Sequence, residues 1–271
     1  MSETKRMPAI FIGHGSPENA FEETEWSEAW QRIATRFPKP EAILVISAHW
    51  TNRISDDAIT TSVTTSPHPE TIHDFYGFPK RFYNFSYPAP GDPALAETVR
   101  SLIRTVDVRS DAERGLDHGA WSVLSRMYPE ADIPVIQLSI DEDLPCKDLF
   151  EIGTELADLR DRGVLILGSG NIVHNLRTIV WDGDPYPWAT GFDDFVRDAL
   201  VAKDYQVLIG FEKHPHAHVA HPTVDHFLPL LFVIGASQGE DPTFFCEQIF
   251  AASLSMRCVV YGLDNEKKTG R

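Results

Sequence analysis

Residues 164–174, VLILGSGNIVH, decide the fold class. Val164–Leu167 is a short, continuous apolar run, the pattern of a strand covered on both faces. A Gly-Ser-Gly turn follows, and His174 stands just beyond it. The same order recurs twice. In MPAIFIGHGSP (7–17) the run Ala9–Ile12 leads into the glycine-flanked His14, and in AILVISAHW (42–50) the run Ala42–Ile46 leads into His49. Pro134–Leu138 and Met256–Tyr261 read as two further strands. Helical periodicity occupies Glu25–Arg36, Pro93–Thr105, Trp121–Met127, Leu149–Arg162, Phe192–Lys203 and His226–Ile234. Strands alternating with helices predict an α/β fold: one domain over residues 1–271, with a central, mostly buried sheet flanked by helices on both faces. No repeat or Gly/Ser linker divides it.

Open α/β sheets gather ligands beyond the carboxyl ends of their strands, where neighbouring loops converge. Three strand-end histidines therefore predict one site. The stretch Ser62–Pro93, with PHPETIHDFYGFPKRFYNFSYPAPGDP inside it, is too rich in aromatic residues for a linker and reads as an ordered functional loop.

Charge narrows the partners. With 24 Lys+Arg against 40 Asp+Glu the net charge is −16, which disfavours nucleic acid and anionic membrane surfaces alike. Cys146, Cys246 and Cys258 form no CxxC pair, so neither a disulfide framework nor a thiolate zinc site is expected. No apolar run reaches the roughly 20 residues of a bilayer span, and no signal peptide is visible; a soluble, cytoplasmic protein is expected.

Of the 11 histidines, most have an ordinary alternative reading. His14 could be a polar loop residue and His118, in LDHGAWSVL, a residue of a helix start. Most of His214, His216, His218 and His221 read as structural or peripheral. His49 is harder to dismiss, because a histidine at an apolar strand end needs a strong partner. His226 is read as opening a helix, with Phe227 and Leu228 turned to the core. Together the histidines supply neutral nitrogen donors suited to iron or zinc, with Asp and Glu nearby to orient them. Nucleophilic catalysis fits less well: Ser16 lacks the GxSxG frame, and Cys146 reads as part of an acidic loop, LPCKD, that disfavours a thiolate.

The motifs FIGHGSP, VISAHW, TIHDFYGFP, YPAPGDP, LDHGAWSVL, IPVIQLSID, GSGNIVHNLR, DPYPWA and HFLPLLFVIGA stand in this order. Over about residues 7–260 the chain thereby resembles the class III extradiol ring-cleavage dioxygenases, the LigB superfamily, and within it the 4,5-DOPA extradiol dioxygenase branch. The resemblance implies that His14, His49 and His226 are metal ligands, that His174 is the acid/base residue, and that His118 positions substrate or oxygen. His73, Asp74, Phe75 and Tyr76 are expected to wall the substrate pocket. Many class III enzymes hold iron with two histidines and a glutamate; here the third position is His226, preceded by Asp225. The implied cofactor is one divalent ion, Fe(II) for activity or Zn(II) as isolated. The implied partners are a small aromatic diol and O2, and the expected assembly is a monomer or small homo-oligomer. A zinc-dependent hydrolase, or a non-catalytic relative with the same histidines, is the competing expectation.

Overall fold

The computed structural model describes residues 6–52 and 61–263. Its strands are β1 (Ala9–Gly13), β2 (Ala42–Asn52), β3 (Ser62–Thr64), β4 (Arg109–Asp111), β5 (Val135–Asp141), β6 (Val164–Gly170), β7 (Thr243–Phe245), β8 (Ile249–Phe250), β9 (Leu254–Ser255) and β10 (Cys258–Tyr261). Eight of them form one sheet in the order β4-β3-β5-β2-β6-β1-β10-β7, while β8 and β9 pair separately. The centre, β5-β2-β6-β1, is parallel. All five strands read from the sequence are present, and the β1, β2 and β6 carboxyl ends lie at one edge, as their parallel pairing requires.

Both faces of the sheet are buried, and each strand divides its side chains between them. Ala9 and Phe11 of β1, Leu44 and Ile46 of β2, and Ile166 of β6 pack into one core. Ile10 and Ile12, Ile43 and Val45, and Leu165 and Leu167 pack into the other. The period of two along a continuous apolar run is what a doubly covered strand needs.

The longer helices are α1 (Glu25–Ala34), α3 (Pro93–Leu102), α4 (His118–Met127), α5 (Cys146–Glu155), α6 (Pro187–Ala202) and α9 (Leu228–Ala236). Short helices α2 (Lys80–Tyr83), α7 (Tyr205–Ile209) and α8 (Ala217–Ala220) lie between them. Helices α3, α5, α6 and α9 supply Val99, Leu149, Phe192 and Leu231 to the first core; α1 and α4 supply Trp30 and Trp121 to the second. Helix α9 is buried along its whole length, which its apolar sequence on every side demands.

Four readings change. Gly168–Gly170, read as a turn after the strand, completes β6. Helix α9 starts at Leu228, not His226: Pro229 lacks an amide hydrogen and is tolerated only in a first turn, so His226 lies in the loop before the helix. Strand β2 continues through His49 to Asn52, with a register irregularity between Ile46 and Thr51. Cys146 begins α5 rather than lying in a loop, and burial pushes its thiol up to about 11.

Candidate metal centre

Each strand end delivers one imidazole. His14 follows β1, with its amide donating to Gly170 O (3.0 Å) and its carbonyl accepting from Asn19 Nδ2 (3.1 Å). His49 rides on the irregular end of β2, where Arg114 donates to its carbonyl (2.9 Å). His226 is brought in by β6: Asn171 N donates to His226 O (2.9 Å), and Gly170 makes the approach possible. A Cβ on Gly170 would sit 2.2 Å from His226 O, so any side chain there would push the loop away. His174 lies four residues past β6, tied through its amide to Ala220 O (3.0 Å) and bridged to Leu254. His118 begins α4, capped by Asp117, whose carboxylate accepts from Ala120 N (3.1 Å).

The rings converge. Centroids of His14, His49 and His226 stand 5.0, 5.2 and 5.0 Å apart, a nearly equilateral triangle. His14 Nε2 and His49 Nε2 face each other at 3.2 Å. The His118 ring is 3.8 Å from His49 and 5.9 Å from His14. The His174 ring stacks on His226 at 3.4 Å with only 4° between planes.

This donor set can be tested against a metal ion. An ion about 2.0–2.1 Å from each ligating nitrogen lies about 3.2 Å from each imidazole centroid, so ligands at near-tetrahedral angles have centroids about 5 Å apart. The His14, His49 and His226 triangle meets that condition. Replacing His226 by His118 gives one separation too short and one too long. A second measure disagrees: the donor atoms of His14, His49 and His118 lie within 4.8 Å of one another. Mutual proximity of donor atoms does not set them around a common point, and the ring separations favour His226 over His118 as the third donor. Neutral nitrogen donors suit iron or zinc.

Protonation matches this use. Burial, followed by the neighbouring histidines, holds His14 and His226 well below the ordinary imidazole value. Burial takes His49 down to about 3 and His174 to about 4. Carboxylates then orient the rings from outside. Asp225 Oδ2 accepts from His226 Nδ1, and Asp74 Oδ1 accepts from both His118 Nδ1 (2.9 Å) and His118 N (3.0 Å). Burial tends to raise the Asp74 pKa, but the His118 hydrogen bonds outweigh it and leave it at about 2. Asp74 Oδ2 also stands 3.7 Å from His49 Nδ1. The centre opens at one edge, for His14, His118 and His226 are only 1–6% exposed whereas the side chains of His49, Asp74 and Asp225 are 19–21% exposed.

A sequence profile described as the catalytic LigB subunit of aromatic ring-opening dioxygenase matches residues 7–257. The chain belongs to the LigB family. Among curated LigB-type relatives, the chain is 47% identical to the 4,5-DOPA dioxygenase extradiol of Escherichia coli K12, covering 97% of each chain. It is 42% identical to the Beta vulgaris protein of the same name, over 87% of this chain and 89% of that one. A crystal structure of an uncharacterized Escherichia coli K12 protein superposes with a TM-score of 0.81 at 43% identity, covering 94% of this chain and all of that one. This LigB-family chain is an extradiol ring-cleavage dioxygenase of the 4,5-DOPA branch.

The structure brings His14, His49, His118, His174 and His226 of the LigB-family chain into one cluster. The aromatic loop reaches it in part. Phe75 meets the His118 ring edge-on at 5.6 Å, and His73 hydrogen-bonds Phe85 O (3.0 Å) beside Phe75 and Trp121. Tyr76 is 92% exposed and is not brought together with them. The sequence reading gave one contributor a different role and missed another. Asp74 was read as pocket wall but holds His118 and borders His49. Asp117, fully buried, accepts from Ser47 Oγ (2.7 Å) and Gln137 Nε2 (2.7 Å) and so braces the β2 end that carries His49. His221, read as structural or peripheral, is structural: it is buried against Phe192, Phe211 and Phe227, with Nε2 donating to Ile172 O (2.6 Å).

Proposed function

We propose that the chain opens the ring of a small catechol of the DOPA type with O2, giving a muconic semialdehyde-type product, at one divalent ion held by His14, His49 and His226. The observation that carries this reading is the ring triangle of 5.0–5.2 Å, flanked by two further imidazoles outside the ligand set. Fe(II) held there supplies Lewis acidity toward the diol and the electron exchange with dioxygen that Zn(II), the ion expected on isolation, cannot.

The rest of the work falls to side chains. His174 is neutral at pH 7, because burial lowers it to about 4, so its free nitrogen can accept the second phenolic proton and later return it to the opened product. Its ring, stacked flat on His226, lies beside the centre. His118, fixed by Asp74, hydrogen-bonds substrate or an oxygen atom of the second reactant. His73, Asp74 and Phe75 wall the aromatic side of the pocket, and Tyr76 stands at its outer rim. Holding diol and O2 together replaces a three-body encounter by a preset geometry. The three cysteines are free, which fits a reducing compartment, and we place the enzyme in the cytoplasm as a monomer or small homo-oligomer.

An oxygen electrode tests the reading. Fe(II)-reconstituted protein given L-DOPA should consume one O2 per catechol while a yellow semialdehyde appears. Loss of the catechol spectrum at the same rate without O2 would contradict it, and so would a Zn(II)-loaded sample that turns over equally fast.

A further inference from the structure

Ser169 is the penultimate residue of β6, between the two ligand-bearing strands: it is the register partner of Ile12 on β1 and of Ser47 on β2. The residue is fully buried, and its hydroxyl has two neighbours. Oγ donates to Gly119 O at 2.6 Å, and it lies 3.0 Å from His14 Nδ1. A carbonyl oxygen can only accept, so the single hydroxyl hydrogen is committed to Gly119. Toward His14 the hydroxyl can then only accept, which requires the hydrogen on His14 Nδ1. A neutral imidazole carries one ring hydrogen, so Nε2, the atom facing His49, keeps its lone pair.

We propose that Ser169 is a positioning residue that selects the Nδ1–H tautomer of His14 and thereby makes Nε2 the metal-binding atom. The tautomer is set by a partner on a different element, the Gly119 carbonyl next to His118 at the start of α4. Ser169 is thus for His14 what Asp225 is for His226, with a neutral hydroxyl in place of a carboxylate. The difference has a chemical consequence. A carboxylate accepts whichever way its hydrogen-bond partners turn, whereas the serine hydroxyl accepts from His14 only while Gly119 O occupies its hydrogen. The start of α4 therefore takes part in fixing a ligand that it does not itself carry.

The proposal rests on the reading of His14 as a ligand, and the experiment separates the two. Zn(II) affinity is measured by chelator competition on the full chain, wild type against Ser169→Ala and His14→Ala, with far-UV circular dichroism as the check on folding. Ser169→Ala should weaken Zn(II) binding about 10–100-fold, the usual worth of a group that orients a metal-ligating histidine. Wild-type affinity in Ser169→Ala alongside lost affinity in His14→Ala would overturn the role of Ser169 and leave His14 a ligand. Wild-type affinity in both would overturn the ligand reading and this proposal with it. A second measurement needs no variant of Ser169 to fold. Long-range 1H–15N spectra of metal-free wild type, with the His14 signals identified by their loss in His14→Gln, should show hydrogen on Nδ1; hydrogen on Nε2 would overturn the proposal.

Discussion

Replacing Gly119 by alanine probes the packing that seats His49. Its new Cβ would fall 2.4 Å from Ser47 Oγ, 2.9 Å from His49 Cδ2 and 3.2 Å from Asp117 Oδ1. Carbon contacts relax only at about 3.5–4.0 Å, so the neighbours must give way by about 1 Å. Ser47 is poorly placed to yield, because its hydroxyl is held at 2.7 Å by Asp117, which is held in turn by Gln137. The His49 ring has the freer side, being 19% exposed, and should absorb much of the displacement. Overpacking of this kind costs about 1–3 kcal/mol, less a few tenths recovered from the better helix propensity of alanine. At about 2–4 °C per kcal/mol, Tm of the metal-free protein should fall by roughly 1–10 °C. Zn(II) affinity should fall in step, about tenfold or more, because one of three nitrogens is displaced. Differential scanning fluorimetry and chelator competition read the two effects. An unchanged Tm with unchanged affinity would refute the packing argument; a lower Tm with unchanged affinity would refute the placement of His49 at the centre.

His174→Gln should retain metal and still bind catechol, with turnover down by about 10²–10⁴-fold, the usual contribution of a placed acid/base group; an unchanged rate at full metal content would remove His174 from the chemistry. Gly191→Ala in α6 should stabilise the fold by about 0.5–1 kcal/mol, because its Cβ would meet only the His216 ring, at ordinary distances of 3.5 Å (Cδ2) and 3.9 Å (Nε2); a lower urea midpoint would contradict this. Stability of the metal-free protein should fall as the pH drops from 6.5 toward 4. Buried His221 stays neutral, with its one ring hydrogen on Nε2, until about pH 4, whereas its unfolded counterpart takes up a second proton near 6.5, so acid favours the unfolded chain. Urea titrations of His221→Gln should then show a pH slope shallower by about 1.4 kcal/mol per unit across that window, and an unaltered slope would refute the assignment.

What the sequence disclosed follows from which interactions are local. The strand cores around Phe11, Leu44 and Ile166 were legible because a strand covered on both faces is apolar at every position. Arg109–Asp111 at the sheet edge and Ser62–Thr64 beside it were not, since strands of three mostly polar residues carry no periodic signal. The start of α9 was misplaced by two residues although Pro229 marks it. His14, His49 and His174 could be grouped because each follows an apolar strand, while the roles of these three and of His118 and His226 came from the motif resemblance. Their orienting partners could not: Asp74 meets His118 across 44 residues, Ser169 meets His14 across 155, and Gly119 closes that link from a third element. Such contacts exist only once the sheet has assembled, and no spacing rule encodes them.

Metal content across single histidine variants, prepared with equal Zn(II) and compared by mass spectrometry of the desalted protein, tests the centre most directly. His14→Ala, His49→Ala and His226→Ala should each come through nearly metal-free, while His118→Ala and His174→Ala stay loaded. Full occupancy in His226→Ala together with an empty His118→Ala would contradict the assignment and move the third ligand to α4.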